Sequence, residues 1–379
     1  MTTQNTETRA QNEAVTTIHP SSFVQFIDQL LTGDRVDPDL AESLLAVRTA
    51  LTRRDDETAP FLTVLLRTQG RRIEPLKDAL LCLAAQTDQD FEVVVIDHNA
   101  DDEGARQVRQ AIAEQPAAFA ERIRVVEVSE GSRSKPLNAG IRVARGHYIA
   151  VYDDDDLLFG NWVEEFRRAS ERADGRMLRA VAATQKVEPE AWPTGETGFR
   201  TSSWPTAEYA TTFDMFDHFR VNHSPFMTWA FPHVLFTKLG FEFDEALSVC
   251  EDWDVILRGS AICGVEDVDS LTSIYRRWQG GQSSYSVHDF ESWRASEKRV
   301  IDRLDDSVLL FPAGTVTRIR ELLEVYEEGN SAREQLHHVI NSLAWKLSRP
   351  IRGLVRVGRF GKRAVRKVVR EVTARRPRG

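Results

Sequence analysis

The sequence predicts an α/β protein, a mainly parallel sheet flanked by helices with helical N- and C-terminal extensions. Two observations carry that expectation. Apolar, β-branched runs recur at 61–68, 91–97, 122–128 and 147–153, and amphipathic stretches at 76–86, 105–115 and 135–145 separate them. Strands rich in β-branched residues and poor in polar alternation are covered on both faces, and a regular strand–helix alternation pairs them in parallel, a Rossmann-like layout. Ligands of such sheets bind beyond the carboxyl ends of the strands, which directs attention to the polar residues after each run.

The elements read in order as follows. Residues 1–18 are polar and read as disordered. Phe23, Phe26, Ile27, Leu30 and Leu31 then fall at helical spacing, Gly33 stops that helix, and Asp37-Pro38-Asp39 starts a second one. The charged linker RRDDETAP leads into the first strand. Beyond Asp156 the pattern loosens, and the Trp-, Pro-, Gly-, Ser- and Thr-rich stretch 185–225 reads as a long loop or substrate-facing insertion. A strand-like FMTWAFP (226–232), a helix around Val234–Leu239 and the segment 243–262 follow. From Phe290 the chain reads as helices, and a basic tail begins at Trp345. The implied organisation is an extension over 1–58, a central domain over 59–290, helices over 291–344 and the tail over 345–379.

Composition narrows the function classes. A chain of 379 residues with 41% hydrophobic and 28% charged residues is neither generally disordered nor a membrane-embedded bundle. The tail holds 13 Lys and Arg against one acidic residue, which leaves −21 on the remainder of a chain whose formal charge is −9. An acidic body argues against nucleic acid as a partner. Three cysteines, Cys82, Cys250 and Cys263, form no CxxC pair and read as reduced thiols. With no signal-peptide pattern and no run of about 18 apolar residues, the expected place is cytoplasmic, with any membrane contact peripheral.

The strongest local signal is YDDDD, 152–156, directly after an apolar strand and before Leu157, Leu158 and Phe159. Carboxylates crowded at a strand end repel one another unless a cation or a donor neutralises them, and Mg²⁺ or Mn²⁺ is held by one or two carboxylates together with substrate phosphates. A solvated turn is the plainer alternative. Asp97 closes the second strand before His98 and Asn99, as a turn residue or as an acceptor for a nucleotide. Thr68 and Gln69 end the first strand in the same relative position. Glu251 and Asp252 open a helix in CEDWDVILRG, as partners of its dipole or as a general base. Lys135, at the start of the third helix, is either a surface lysine or a phosphate ligand.

Taken together, FLTVLLRTQGR, ALLCLAAQTDQDFEVVVIDHNADD, KPLNAGIRVARGHYIAVYDDDDLL and FDEALSVCEDWDVILRGS followed by YRRWQGGQSS resemble the family 2 inverting glycosyltransferases of GT-A fold, from about Phe61 to Ser284. The resemblance implies a nucleoside diphosphate sugar donor, a glycan or lipid-linked acceptor, and Mg²⁺ or Mn²⁺ as cofactor. It places Thr68 and Asp97 at the base and ribose; Gln69, Asn99 and Lys135 are further nucleotide-binding candidates from their places at the strand and helix ends. Asp153 and Asp155 match the D-x-D aspartates, the first near the ribose and the second on the metal. Asp156 matches a further acidic position, and Asp252 the catalytic base with Glu251 next to it. The chain departs from the pattern at Gln69, His98, Leu137 and Trp278, where relatives commonly carry Asn, Asp, Arg and His, and His288 is a weak substitute for that last ligand.

Two other readings stay open at this level. A nucleotidyltransferase also uses carboxylates and Mg²⁺, although RTQGRRIEP is a poor match for its glycine-rich loop. A catalytically silent scaffold of the same fold is the other. The tail interleaves Leu, Ile, Val and Phe with Arg and Lys, which suits an anionic membrane at the inner face of the cell membrane. Oligomeric state is left open, a homo-oligomer included.

Overall fold

β-Branched runs become strands buried along almost their whole length. A computed structural model describes residues 22–33, 36–52, 56, 58–191, 197–279, 289–311 and 314–341. The strands β1 (Leu62–Thr68) and β2 (Phe91–His98) bury every residue, and β4 (Tyr148–Asp153) all but its last. β3 (Ile123–Val128), whose sequence IRVVEV carries two charged residues, is the half-exposed edge. β1 pairs in parallel with β2 and with β4, and β2 with β3. That register sets Thr68 beside Asp97 and Arg67 beside Asp153, so the polar ends of three strands meet along one edge.

Helices α1 (Phe23–Leu31) and α2 (Pro38–Thr52) precede this unit. Ser22 caps α1 in a reciprocal pair with Gln25, each side chain bonded to the other's backbone N–H at 3.0 Å. Between strands lie α3 (Ile73–Ala84), α4 (Asp102–Ala113), the short α5 (Ala117–Ala120) and α6 (Ser134–Val143). α3, α4 and α6 start one to three residues earlier than the periodicity predicts; at α4 a cap sets the boundary, where Asp101 accepts Gly104 N–H at 2.8 Å.

The two faces of the sheet hold two cores, divided by the period-two alternation of the strands. Leu62, Val64, Leu66, Val93 and Val95 pack beneath Leu76, Leu80 and Leu83 of α3. Leu65, Val94, Ile96, Ile149 and Val151 face the other way, against Leu137 of α6. A Cβ at Gly140 would stand 2.7 Å from Ile96 Cδ1, so a glycine lets α6 approach β2 closely.

The second half of the sheet differs from the expectation. β5 is the pair Leu157–Leu158, and α7 (Trp162–Arg172) was not anticipated. The stretch expected to be a long loop is partly strand: it takes in the end of β6 (Met177–Ala191), then β7 (Thr197–Thr201) and β8 (Thr206–Ala207), followed by α8 (Met215–Arg220). Its Thr and aromatic residues favour strands as readily as loops, and pairing partners decide between the two. FMT of the expected strand forms a 3₁₀ turn, which leaves β9 as Trp229–Pro232. After α9 (Val234–Thr237) and α10 (Glu251–Cys263) comes another unanticipated strand, β10 (Val265–Trp278), which owes its place to a long parallel register with β6.

The order is β3-β2-β1-β4-β9-β6-β10-β5, with β7 and β8 pairing β6. β9 runs antiparallel to both β4 and β6, and so joins a four-stranded parallel half to a mixed one. α11 (Phe290–Asp305) packs Val300 and Leu304 against Trp253 and Leu257, which fixes α10 from outside. Arg303 reinforces that contact, reaching Asp254 Oδ2 at 3.0 Å.

The chain divides into units Met1–Ala313 and Gly314–Gly379. The described part of the second is the 27-residue helix α12 (Thr315–Asn341). The basic tail and His288 lie outside the described residues. Among those described, no helix is long and apolar enough to cross a membrane.

Candidate active site

The aspartate run turns out of β4, and two arginines outside the expected site residues meet it. Arg67, the penultimate residue of β1, grips Asp153 with two bonds, Nε to Oδ1 at 2.9 Å and Nη2 to Oδ2 at 3.0 Å. Asp154 accepts the Thr68 hydroxyl at 2.6 Å and Arg72 Nη2 at 2.9 Å. Asp155 accepts the other arm of the same guanidinium, Arg72 Nη1, at 2.6 Å. Burial raises the Asp154 carboxyl to about 7; Arg72 opposes the shift, and the charge of Asp155 adds to it.

Across the edge, Cys250 adopts a left-handed φ of 66° and turns the chain into α10. Such a backbone in a non-glycine residue is strained, and here it aims the first two helical residues at the sheet edge. Glu251 accepts Arg67 Nη1 at 3.1 Å and Arg133 Nε at 2.8 Å. Burial works to raise its carboxyl, but Arg133 and Arg67 outweigh it and hold the group at about 2. Glu251 raises the Arg133 guanidinium in return.

Asp252 stands apart from these ion pairs. Its Oδ2 accepts the Asn222 amide at 2.8 Å, and its Oδ1 accepts Trp253 N–H at 2.8 Å. Burial first, and the neighbouring charge of Glu251 second, raise the carboxyl to about 7. Two adjacent carboxylates thus sit at opposite ends of the titration range, one locked as an ion and one poised to exchange a proton near neutrality. Arg67 ties the two acidic groups together, since one guanidinium holds both Asp153 and Glu251.

The structure therefore gathers Thr68, Asp97, Asp153, Asp155, Glu251 and Asp252 at the carboxyl edge. Asp97 is buried, its carboxyl is raised mainly by burial, and its Oδ1 meets no hydrogen-bond donor among the described residues. An orphaned buried acceptor of this kind is a place for a ligand's N–H or O–H. The remaining expected residues take other roles. Asp156 is buried, its Oδ1 accepts the backbone N–H of Arg276 at 2.8 Å, and burial raises its carboxyl well above the usual range. That bond fastens the turn to β10. The Lys135 ammonium pairs with Glu130 at 2.8 Å on the surface. Gln69 is exposed, and Asn99, at a left-handed φ of 59°, turns its amide to His98 Nε2 at 3.0 Å.

Sequence reasoning missed Arg67, Arg72, Arg133 and Asn222. The signal for the arginines was present in RTQGRR and GSRSKP, at the ends of two strands. Leu137, which stands where relatives commonly carry arginine, is fully buried in the core, while Arg133, one turn earlier, supplies a guanidinium to the edge. Asn222 carried no signal. Trp278 lies under Arg72, with the guanidinium 5.3 Å from its ring centroid, and cannot act as the histidine it replaces.

Among the described residues no three His, Cys, Asp or Glu side chains form a cage for a metal ion. The implied Mg²⁺ or Mn²⁺ needs less, one or two carboxylates with phosphates completing the shell. Asp153 and Asp155 supply hard oxygen donors and keep 27% and 21% of their side chains exposed, so their chemistry fits. Two cavities, of about 450 and 270 Å³, lie at the opposite, amino end of the strands near Gly146, His147 and His233, and share no residue with this edge.

An α/β sheet whose ligand-facing groups converge at the carboxyl ends of its strands defines the general class. Residues 68–227 match the model of Glycosyl transferase family 2. The chain is also similar to the uncharacterized glycosyltransferase EpsJ of Bacillus subtilis (strain 168), 32% identical over 110 residues, which is 29% of this chain and 30% of that protein. The alignment thus spans less than a third of the curated relative. Among solved structures it is similar to S. aureus TarS 1–349 in complex with UDP-GlcNAc (TM-score 0.46, 15% identity, 63% of this chain and 70% of that one). The complex of TarS 1–349 with UDP gives a TM-score of 0.45 at 15% identity, over 63% and 64% of the two chains.

Proposed function

We propose that this chain transfers a sugar from a nucleoside diphosphate sugar to an acceptor hydroxyl, inverting the anomeric carbon, one sugar at a time, in cell-surface polysaccharide or glycolipid synthesis. The observation that carries the reading is Asp252: a carboxylate raised to about 7, oriented by Asn222, and linked through Glu251 and Arg67 to the aspartate loop. Ionised, Asp252 takes the proton of the acceptor hydroxyl as it attacks. A single displacement needs no enzyme nucleophile, and Glu251, engaged by two guanidinium groups, is not free to be one. Thr68 and the orphaned acceptor of Asp97 receive the nucleoside. Asp153 and Asp155 hold Mg²⁺ or Mn²⁺. When bound there, the cation supplies Lewis-acid neutralisation of the leaving diphosphate.

A thermal-shift screen of nucleoside diphosphate sugars with Mn²⁺ tests the proposal. The matching donor at about 100 times its dissociation constant adds about 2.7 kcal/mol, a rise of about 5–11 °C at about 2–4 °C per kcal/mol. Asp155→Ala should lose that rise, and the product of the wild-type reaction should carry the inverted anomer by proton NMR. No stabilisation by any donor, with no donor hydrolysis, would leave a non-catalytic protein.

The basic stretch from Trp345 is proposed to hold the enzyme on an anionic membrane surface, where each Lys or Arg contributes about 1 kcal/mol. Deletion of residues 346–379 should abolish sedimentation with phosphatidylserine vesicles, and retained sedimentation would exclude the tail as the anchor.

A further inference from the structure

We infer that Arg72 is a built-in counter-ion of the aspartate loop, which a divalent cation must displace from Asp155 before the site loads. The inference rests on the reading of Asp153 and Asp155 as cation ligands. The planar fork of Arg72 spans two carboxylates, Nη1 on Asp155 at 2.6 Å and Nη2 on Asp154 at 2.9 Å, and Trp278 backs it. The second oxygen of Asp154 is already taken by the Thr68 hydroxyl. Arg72 is the N-cap residue of α3 and makes no side-chain cap bond. A cation at a helix N-terminus opposes the macrodipole, so the carboxylates, and not the helix, determine where this guanidinium lies.

A guanidinium and a metal ion on one carboxylate would be like charges within a few ångströms of each other, which makes their occupancies antagonistic. The contact is also built to open on one side. The Asp155 and Arg72 side chains are 21% and 26% exposed, whereas Asp154 is 5% exposed, so the Asp155 arm is released into solvent while the Asp154 arm stays. Arg133 is committed to Glu251, and Arg67, although it also makes two bonds to Asp153, is anchored by Glu251 and only 9% exposed, so neither is placed to swing away into solvent. A guanidinium released from Asp155 remains on the loop that follows Thr68, where it can meet phosphate oxygens bidentately. Arg72 thus keeps the loop neutralised without a ligand, holds down its affinity for a bare cation, and passes its charge to the diphosphate when cation and donor arrive together.

The test is titration of the donor-free full chain with Mn²⁺ alone, free ion being read by electron paramagnetic resonance. Arg72→Gln should bind Mn²⁺ about tenfold more tightly than wild type, the scale of one charge-assisted hydrogen bond. Arg72→Lys keeps the charge but cannot span both carboxylates, and should fall between the two. Arg133→Gln removes the same charge from the same edge without freeing Asp155, and should give a smaller rise. Equal affinities for wild type and Arg72→Gln, or an equal rise in Arg133→Gln, would overturn the inference. Absence of Mn²⁺ binding in every variant would instead remove the cation reading itself, and the gate with it.

Discussion

Asp252→Asn is expected to lower turnover by about 10²–10⁴, the range of general-base catalysis, while donor binding stays within about twofold of wild type. The substitution is nearly isosteric, and the new amide oxygen can still accept the N–H of Asn222 that holds Asp252 at 2.8 Å. The loss therefore falls on proton removal and not on the shape of the site. The base works only when ionised, so wild-type turnover should climb with pH through about 7, where burial and Glu251 place the carboxyl. Stability runs the other way. An unfolded aspartate titrates near 3.9, so the folded protein binds the extra proton between about 4 and 7, and stability from this group is lost as pH rises through that window. At pH 8 the variant, relieved of a half-buried charge, should be at least as stable as wild type. Steady-state rates with a matched donor and urea unfolding at pH 8 measure both sides, and turnover near the wild-type value would remove Asp252 as the base.

Arg67→Met should destabilise the first unit by about 3 kcal/mol, the lower end of the cost of stranding a buried ionic partner. The Arg67 side chain is 9% exposed and Glu251 5%, so water cannot replace what is lost. Glu251 keeps Arg133, which limits the damage, but Asp153 loses both of its bonds from Arg67. The pH dependence carries a second signature. Glu251 sits at about 2 when folded against about 4.3 unfolded, so the stability it contributes is present above about 4.3 and lost as pH falls through 2. Without Arg67 the folded value rises, and the contribution shrinks toward zero at every pH above that. Urea unfolding at pH 7 and pH 4 reads both effects, and a loss below about 1 kcal/mol would mean that Arg67 is not the tie between β1, β4 and α10.

Both predictions turn on residues that the sequence revealed unequally. Asp252 was legible because two adjacent acids open an amphipathic helix, and YDDDD because it follows an apolar strand; both are local patterns. The three arginines were in plain view yet unassigned, since nothing in RTQGRR says which carboxylate each will reach. Asn222 lies in loop just after α8, as the sequence expects, and nothing local says that its amide reaches Asp252. β10 went unseen for a similar reason: VEDVDSLTSIYRRW has no clean alternation, and its register with β6 makes it a strand.

The sequence by itself determined the four parallel strands, the helices between them and the acidic groups at their ends. Hydrophobic periodicity and chain alternation are properties of neighbouring residues, and they survive without knowledge of what packs where. Only the tertiary structure decided which carboxylate stays charged and which holds a proton near neutrality. That decision belongs to contacts such as Arg67 with Glu251, 184 residues apart, because burial and opposite charge act through space and leave no mark on local sequence.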